Sequence, residues 1–183
     1  TVGAATGILA CVLSNSGNKA ACAAVAGVAA CGVAMGANYY LDDRRAKYSN
    51  TTQRLNAMTA DVQQETAKVA TRTSTLKRVI EDDKQQIASI QQGIKAKTVD
   101  KAKAQKDIAA IDKNIALMRK DVSNMKARVT EFENVAKLER EGGSSQAEVQ
   151  KVEAEIYKMN TKVASLQQEV DGLYNQRSAI TLG

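Results

Sequence analysis

The stretch QQGIKAKTVDKAKAQKD, Gln91 to Asp107, decides whether most of this chain is one long helix or a helix that folds back. Gly93 is the candidate break, and a turn there would make a three-helix bundle. Hydrophobic spacing argues the other way. Alternating steps of three and four from Leu55 land on Val62, Val69, Leu76, Ile80, Ile87, Ile90 and Ile94 before the basic stretch. The same steps land on Ile108, Ile111, Ile115, Met118, Val122, Met125, Val129 and Phe132 after it. Helices joined by a loop have no need to share a phase, so the common register predicts one helix from about Lys47 to Arg140, roughly 140 Å long. Its polar lapses are Thr59, Thr66, Thr73, Asp83 and the pair Lys97 and Lys101.

The phase is lost at GGSS, Gly142 to Ser145, and a second run begins: Val149, Val152, Ile156, Met159, Val163, Leu166, Val170 and Leu173. This predicts a reversal at 142–145 and a return helix packing antiparallel as a coiled coil. Such a helix reaches Ile108 to Phe132 but leaves Leu55 to Ile94 uncovered, roughly 60 Å of apolar seam. A stripe of that length does not stay in water, so the expectation is a homo-oligomer, with other copies or other proteins covering it.

Outward to the N-terminus the composition changes. Thr1 to Leu41 carries a single charge, Lys19, whereas everything after it is heavily charged; the whole chain has one Phe and no Trp, Pro or His. Ala20 to Leu41 is 22 residues without a charge, which as a helix reaches roughly 33 Å against a hydrocarbon core of about 30 Å. A shorter apolar run, Val2 to Leu13, precedes it across the polar turn Ser14 to Ala20. Gly3 and Gly7 are four apart, as are Gly32 and Gly36, and Ala23, Gly27 and Cys31 form another small row. Such rows let helix backbones approach closely in lipid. Tyr39 and Tyr40, followed by Asp42, Asp43, Arg44 and Arg45, then read as a membrane–water boundary. The competing reading packs an Ala/Gly-rich hairpin inside a soluble bundle. The expected fold is all-α, with a membrane-associated small-residue hairpin over 1–45 and a coiled-coil domain over 46–183.

The residues GAATG, the polar SNSGNK turn, AAVAGVAACGVAMG and the terminal NYYLDD resemble the glycine-zipper two-helix segment of Gram-negative outer-membrane lipoproteins of the rickettsial surface-antigen type. The resemblance covers about the first quarter of the chain. It implies a hairpin in the outer membrane facing the periplasm, with a structural or assembly role rather than a catalytic one.

Catalytic chemistry is poorly provided for. Without His the commonest base and metal ligand is missing, and the acidic run Glu81-Asp82-Asp83 points in different directions around a helix. Cys11, Cys22 and Cys31 have no metal-binding spacing. The expectation is no enzyme, no cofactor and no metal. The net charge of +6 is concentrated between Ile94 and Lys106, where Lys95, Lys97, Lys101, Lys103 and Lys106 face Asp100 alone. A basic cluster seeks phosphate, although the absence of aromatic residues within it disfavours nucleic acid and a solvated helix face remains the plainer reading. The functional expectation is a non-enzymatic, membrane-anchored structural component of the bacterial envelope. The alternative is a helical pore-forming protein whose hairpins assemble a channel.

Overall fold

A computed structural model describes residues 36–182, which are helical apart from Gly36, three short connections and the last few residues. Four helices follow one another: α1 (Ala37–Lys47), α2 (Thr51–Lys95), α3 (Lys101–Glu141) and α4 (Gln146–Ser178). The single helix expected from Lys47 to Arg140 is therefore interrupted twice, at 48–50 and at 96–100. Each restart is capped by a side chain that accepts a backbone N–H three residues on: Asn50 Oδ1 from Gln53 and Asp100 Oδ1 from Lys103, both at 3.1 Å.

The two long reversals are built alike. After α2, the Thr98 N–H donates to the Gly93 carbonyl and the Lys97 N–H to that of Ile94. After α3, Ser144 donates to Glu139 and Gly143 to Arg140 in the same offsets. This pattern needs one left-handed residue. At the second turn that residue is Gly143, at φ 83°; at the first it is Lys97, at φ 57°. Gly93 plays a different part. Val99 folds back onto the helix end beside it, where a Cβ on Gly93 would make van der Waals contact at 3.4 Å. Because Lys97 occupies a conformation that glycine adopts freely, Lys97→Gly is expected to stabilise the fold by about 0.5–1 kcal/mol, read as a higher denaturation midpoint. An unchanged or lower midpoint would contradict the assignment of this turn.

The chain divides into two compact units. Among the described residues one comprises 72–121 and 166–182, and the other 36–71 and 122–165. In the first, Asn114 donates to Asp83 and Arg72 pairs with Asp121, contacts whose opposite progress along the chain sets α2 and α3 antiparallel. Arg177 pairs with Asp112 and the Arg119 guanidinium lies 4.1 Å from the Tyr174 ring centre, which sets α4 antiparallel to α3. Ile80, Ile87, Ile108, Ile111, Ile115, Leu166 and Leu173 fill this core. In the second unit, Leu55, Met58, Val62, Val129, Phe132, Val149, Ile156 and Val163 are buried together with Tyr40 and Leu41 of α1.

These cores correct the expectation of uncovered seam. Leu55, Val62, Val69, Leu76, Ile80, Ile87 and Ile90 are all buried by the chain itself, because α3 turns back at 96–100 and runs beside α2. The need for other copies to cover that stripe disappears. Of the thirteen seam positions singled out from spacing, Leu76, Ile80, Ile87, Ile90, Ile108, Ile111, Ile115, Val122, Val149, Ile156, Val163 and Leu166 are buried, and Ile94, in the last turn of α2, is half-buried. Two of the threonine lapses are accommodated locally, Thr59 and Thr66 donating their hydroxyls to the carbonyls of Leu55 and Val62 one turn back, whereas the buried Thr73 hydroxyl has no partner among the described residues.

Candidate functional site

Three polar arrangements stand out. The first is α1 and its seat. Tyr40 is only 3% exposed, its ring edge-on to Phe132 at 5.7 Å and 87°. Its hydroxyl donates to Asp61 on α2, and Arg44 reaches the same carboxylate oxygen at 3.0 Å. Burial, reinforced by the bond to Asp61 and the charge on that residue, pushes the Tyr40 hydroxyl well above the ordinary tyrosine range. Arg128 lies over both rings, 4.6 Å from the Phe132 centre and 5.8 Å from that of Tyr40, and pairs with Glu131. Glu131 also accepts the backbone N–H of Gly36 at 2.9 Å. Gly36, immediately ahead of α1, is thus fastened to α3.

This geometry divides the group assigned to a membrane boundary. Tyr39 is 63% exposed and Arg45 is exposed, while Tyr40 and Arg44 turn into the bundle; Tyr40 is a core residue rather than an interfacial one. Gly36, expected to pack against a helix, has nothing among the described residues within 4 Å of where a Cβ would sit; its φ of 95° is what calls for glycine. Gly3, Gly7, Gly27 and Gly32, with the rest of the expected hairpin, lie outside the described residues.

The second arrangement is Arg54 with Glu139. Arg54 Nε and one terminal nitrogen reach the two Glu139 oxygens at 2.9 and 3.0 Å, and Ser144 donates to the same carboxylate at 2.6 Å. Burial works against the charge on Glu139 but is outweighed by these donors, so the carboxyl sits below its usual range.

The third is Asp83, fully buried at 0% exposure. Asn114 donates to one oxygen at 3.2 Å and the other has no partner among the described residues. Burial pushes this carboxyl up to about 7, against the Asn114 bond and with a further push from Asp82. A raised folded value means that the folded chain holds a proton which the unfolded chain has already lost. Asp83 therefore costs no stability below about pH 4, costs progressively more as pH rises to about 7, and no more beyond. Asp83→Asn is expected to match the parent protein near pH 4 and exceed it by about 1–3 kcal/mol at pH 8. Urea midpoints across that range check it, and a pH-independent difference would contradict it.

Lys95, Lys97, Lys101, Lys103 and Lys106 are all exposed around the α2–α3 turn, and Lys103 pairs with Asp107 at 3.3 Å. A groove of about 500 Å³ beside Lys137, Arg140, Glu153 and Tyr157 brings no nucleophile to a base. Among the described residues no three carboxylates or cysteines could share a metal ion, and no helix is long and apolar enough to cross a membrane.

Spacing alone missed Arg54, Asp61, Asn114 and Glu139. A signal for one of them existed: Asp107, Asn114 and Asp121 recur at seven-residue intervals along α3, and all three are buried. They form the third inward column that a helix packed against two neighbours must bury, whereas a two-stranded seam has two. Comparison with protein-family models, with characterised proteins and with solved structures finds no match to this chain.

Proposed function

We propose that this chain is a non-enzymatic structural component of the bacterial envelope, in which the uncharged N-terminal segment engages membrane lipid and the helical units present a rigid surface to partner proteins. What supports the reading is the seat of α1. Tyr40, Leu41 and the Glu131 bond to Gly36 hold the end of that segment at a fixed place, so that a load on one is borne by the other. The same seat shortens the stretch available to lipid. With Gly36 outside helical geometry at φ 95° and Ala37 to Leu41 committed to α1, Ala20 to Met35 leaves 16 uncharged residues, which as a helix reach about 24 Å. That lies just below the lower limit for spanning and favours a segment seated in the membrane over one lining a channel. An outer-membrane site facing the periplasm is carried over from the lipoprotein resemblance. The test is fractionation of cells producing the chain: it should sediment with membranes and remain there through a high-salt wash. Recovery in the soluble fraction would overturn the proposal.

A further inference from the structure

The α2–α3 turn carries a set of local choices that work against folding. Lys97 takes the left-handed position where glycine is unstrained. The first turn of α3 has no acidic residue but holds Lys101 and Lys103, placing positive charge at the positive end of the helix dipole. Five lysines crowd into twelve positions and, among the described residues, only Lys103 of the five has an ion pair. Nearby acids offset part of the patch, Asp107 pairing with Lys103 and Asp100 capping α3, and leave a net charge of +3 over Lys95 to Asp107. Departures from local consistency that concentrate in one place, with no gain in packing, mark positions kept for something other than stability.

We infer that this lysine-crowned turn is a docking surface for anionic lipid headgroups. The inference rests on the membrane reading and adds to it the lipid class and the residues that select it. The lysines sit at a helix reversal, so their ammonium groups surround an exposed tip instead of lining a concave pocket. That arrangement fits an extended sheet of phosphates better than a single bound phosphate. Each lysine that reaches an anionic surface contributes about fivefold to partitioning, from about 1 kcal/mol. Duplex or single-stranded nucleic acid would offer phosphate too, but no aromatic side chain lies between Gln91 and Asp107 to stack on a base, and no arginine is present there to read one.

The test uses the full chain and vesicle flotation. With neutral phosphatidylcholine vesicles, binding through the N-terminal segment should be insensitive to salt. With vesicles containing phosphatidylglycerol at low salt, binding should be at least about tenfold stronger and the increment should vanish at high salt. Lys97→Glu with Lys101→Glu should abolish the increment and leave neutral binding intact. Lys97→Gly should weaken the increment while raising the denaturation midpoint, a combination that a purely structural lysine does not give. Equal binding to both vesicle types by the parent protein, or an undiminished increment in the charge-reversed variant, would overturn the inference. So would release from anionic vesicles by duplex DNA at a much lower phosphate concentration than by soluble phosphatidylglycerol. Loss of neutral binding alone would sink the membrane reading and leave the lysine increment standing.

Discussion

Arg54→Ala is expected to destabilise the protein by about 3–5 kcal/mol, because it leaves the Glu139 carboxylate, 1% exposed, without its bidentate partner. The loss exceeds that of any surface ion pair here, such as Lys158 with Glu155, for which about 0–1 kcal/mol is ordinary. Ser144 supplies one remaining donor, but a neutral hydroxyl does not replace a guanidinium fork. Taking both charges out should recover most of the loss. Arg54→Met with Glu139→Leu is expected to unfold within about 1–2 kcal/mol of the parent, since a buried ion pair and a well-packed apolar pair are often close in free energy. Urea denaturation followed by far-ultraviolet circular dichroism measures both. A single mutant as stable as the parent would mean that the pair is not formed in solution.

Phe132→Ala is expected to cost about 3–5 kcal/mol and to release α1. The only phenylalanine in the chain supports the Tyr40 ring and lies under Arg128, so its removal opens a cavity at the seat of α1. Few other contacts hold that helix: of its eleven residues, Tyr40 and Leu41 are the buried ones. Trypsin should therefore cut after Arg44, Arg45 or Lys47 far faster in the variant than in the parent protein, under conditions where α4 stays intact. Unchanged cleavage together with a loss below about 1 kcal/mol, well short of what a buried phenylalanine is worth, would show that α1 is held by something else.

The helical class was legible because steps of three and four run through nearly every segment after Leu55, and the reversal at 142–145 because two glycines coincide with a lost phase. The reversal at 96–100 was not. Its left-handed residue is a lysine, Lys97, so the glycine signal is missing, and the two helices happen to keep a common register across the loop. Asp100 as a cap and the β-branched pair Thr98-Val99 were the available signs, weaker than sixteen residues in phase. Read as one helix, the chain leaves the Leu55–Ile94 seam uncovered; in the structure its own α3 closes that seam. Tyr40 misled for a different reason. An aromatic residue between an apolar run and a charged one suits a membrane boundary and a core equally well, and only the ring of Phe132 and the carboxylate of Asp61, distant in sequence, decide between them. The buried carboxylates and their partners are pairings of that long-range kind, for which periodicity carries no information about who meets whom.

The most direct test of the central claim uses the cysteines. All three, Cys11, Cys22 and Cys31, lie ahead of Gly36. With Cys11 and Cys22 replaced by alanine, an environment-sensitive fluorophore on Cys31 reports the surroundings of the uncharged segment alone. On addition of phosphatidylcholine vesicles in high salt, the account predicts a blue-shifted emission that lipid-borne nitroxides quench. Emission unchanged by vesicles and indifferent to those quenchers would contradict it.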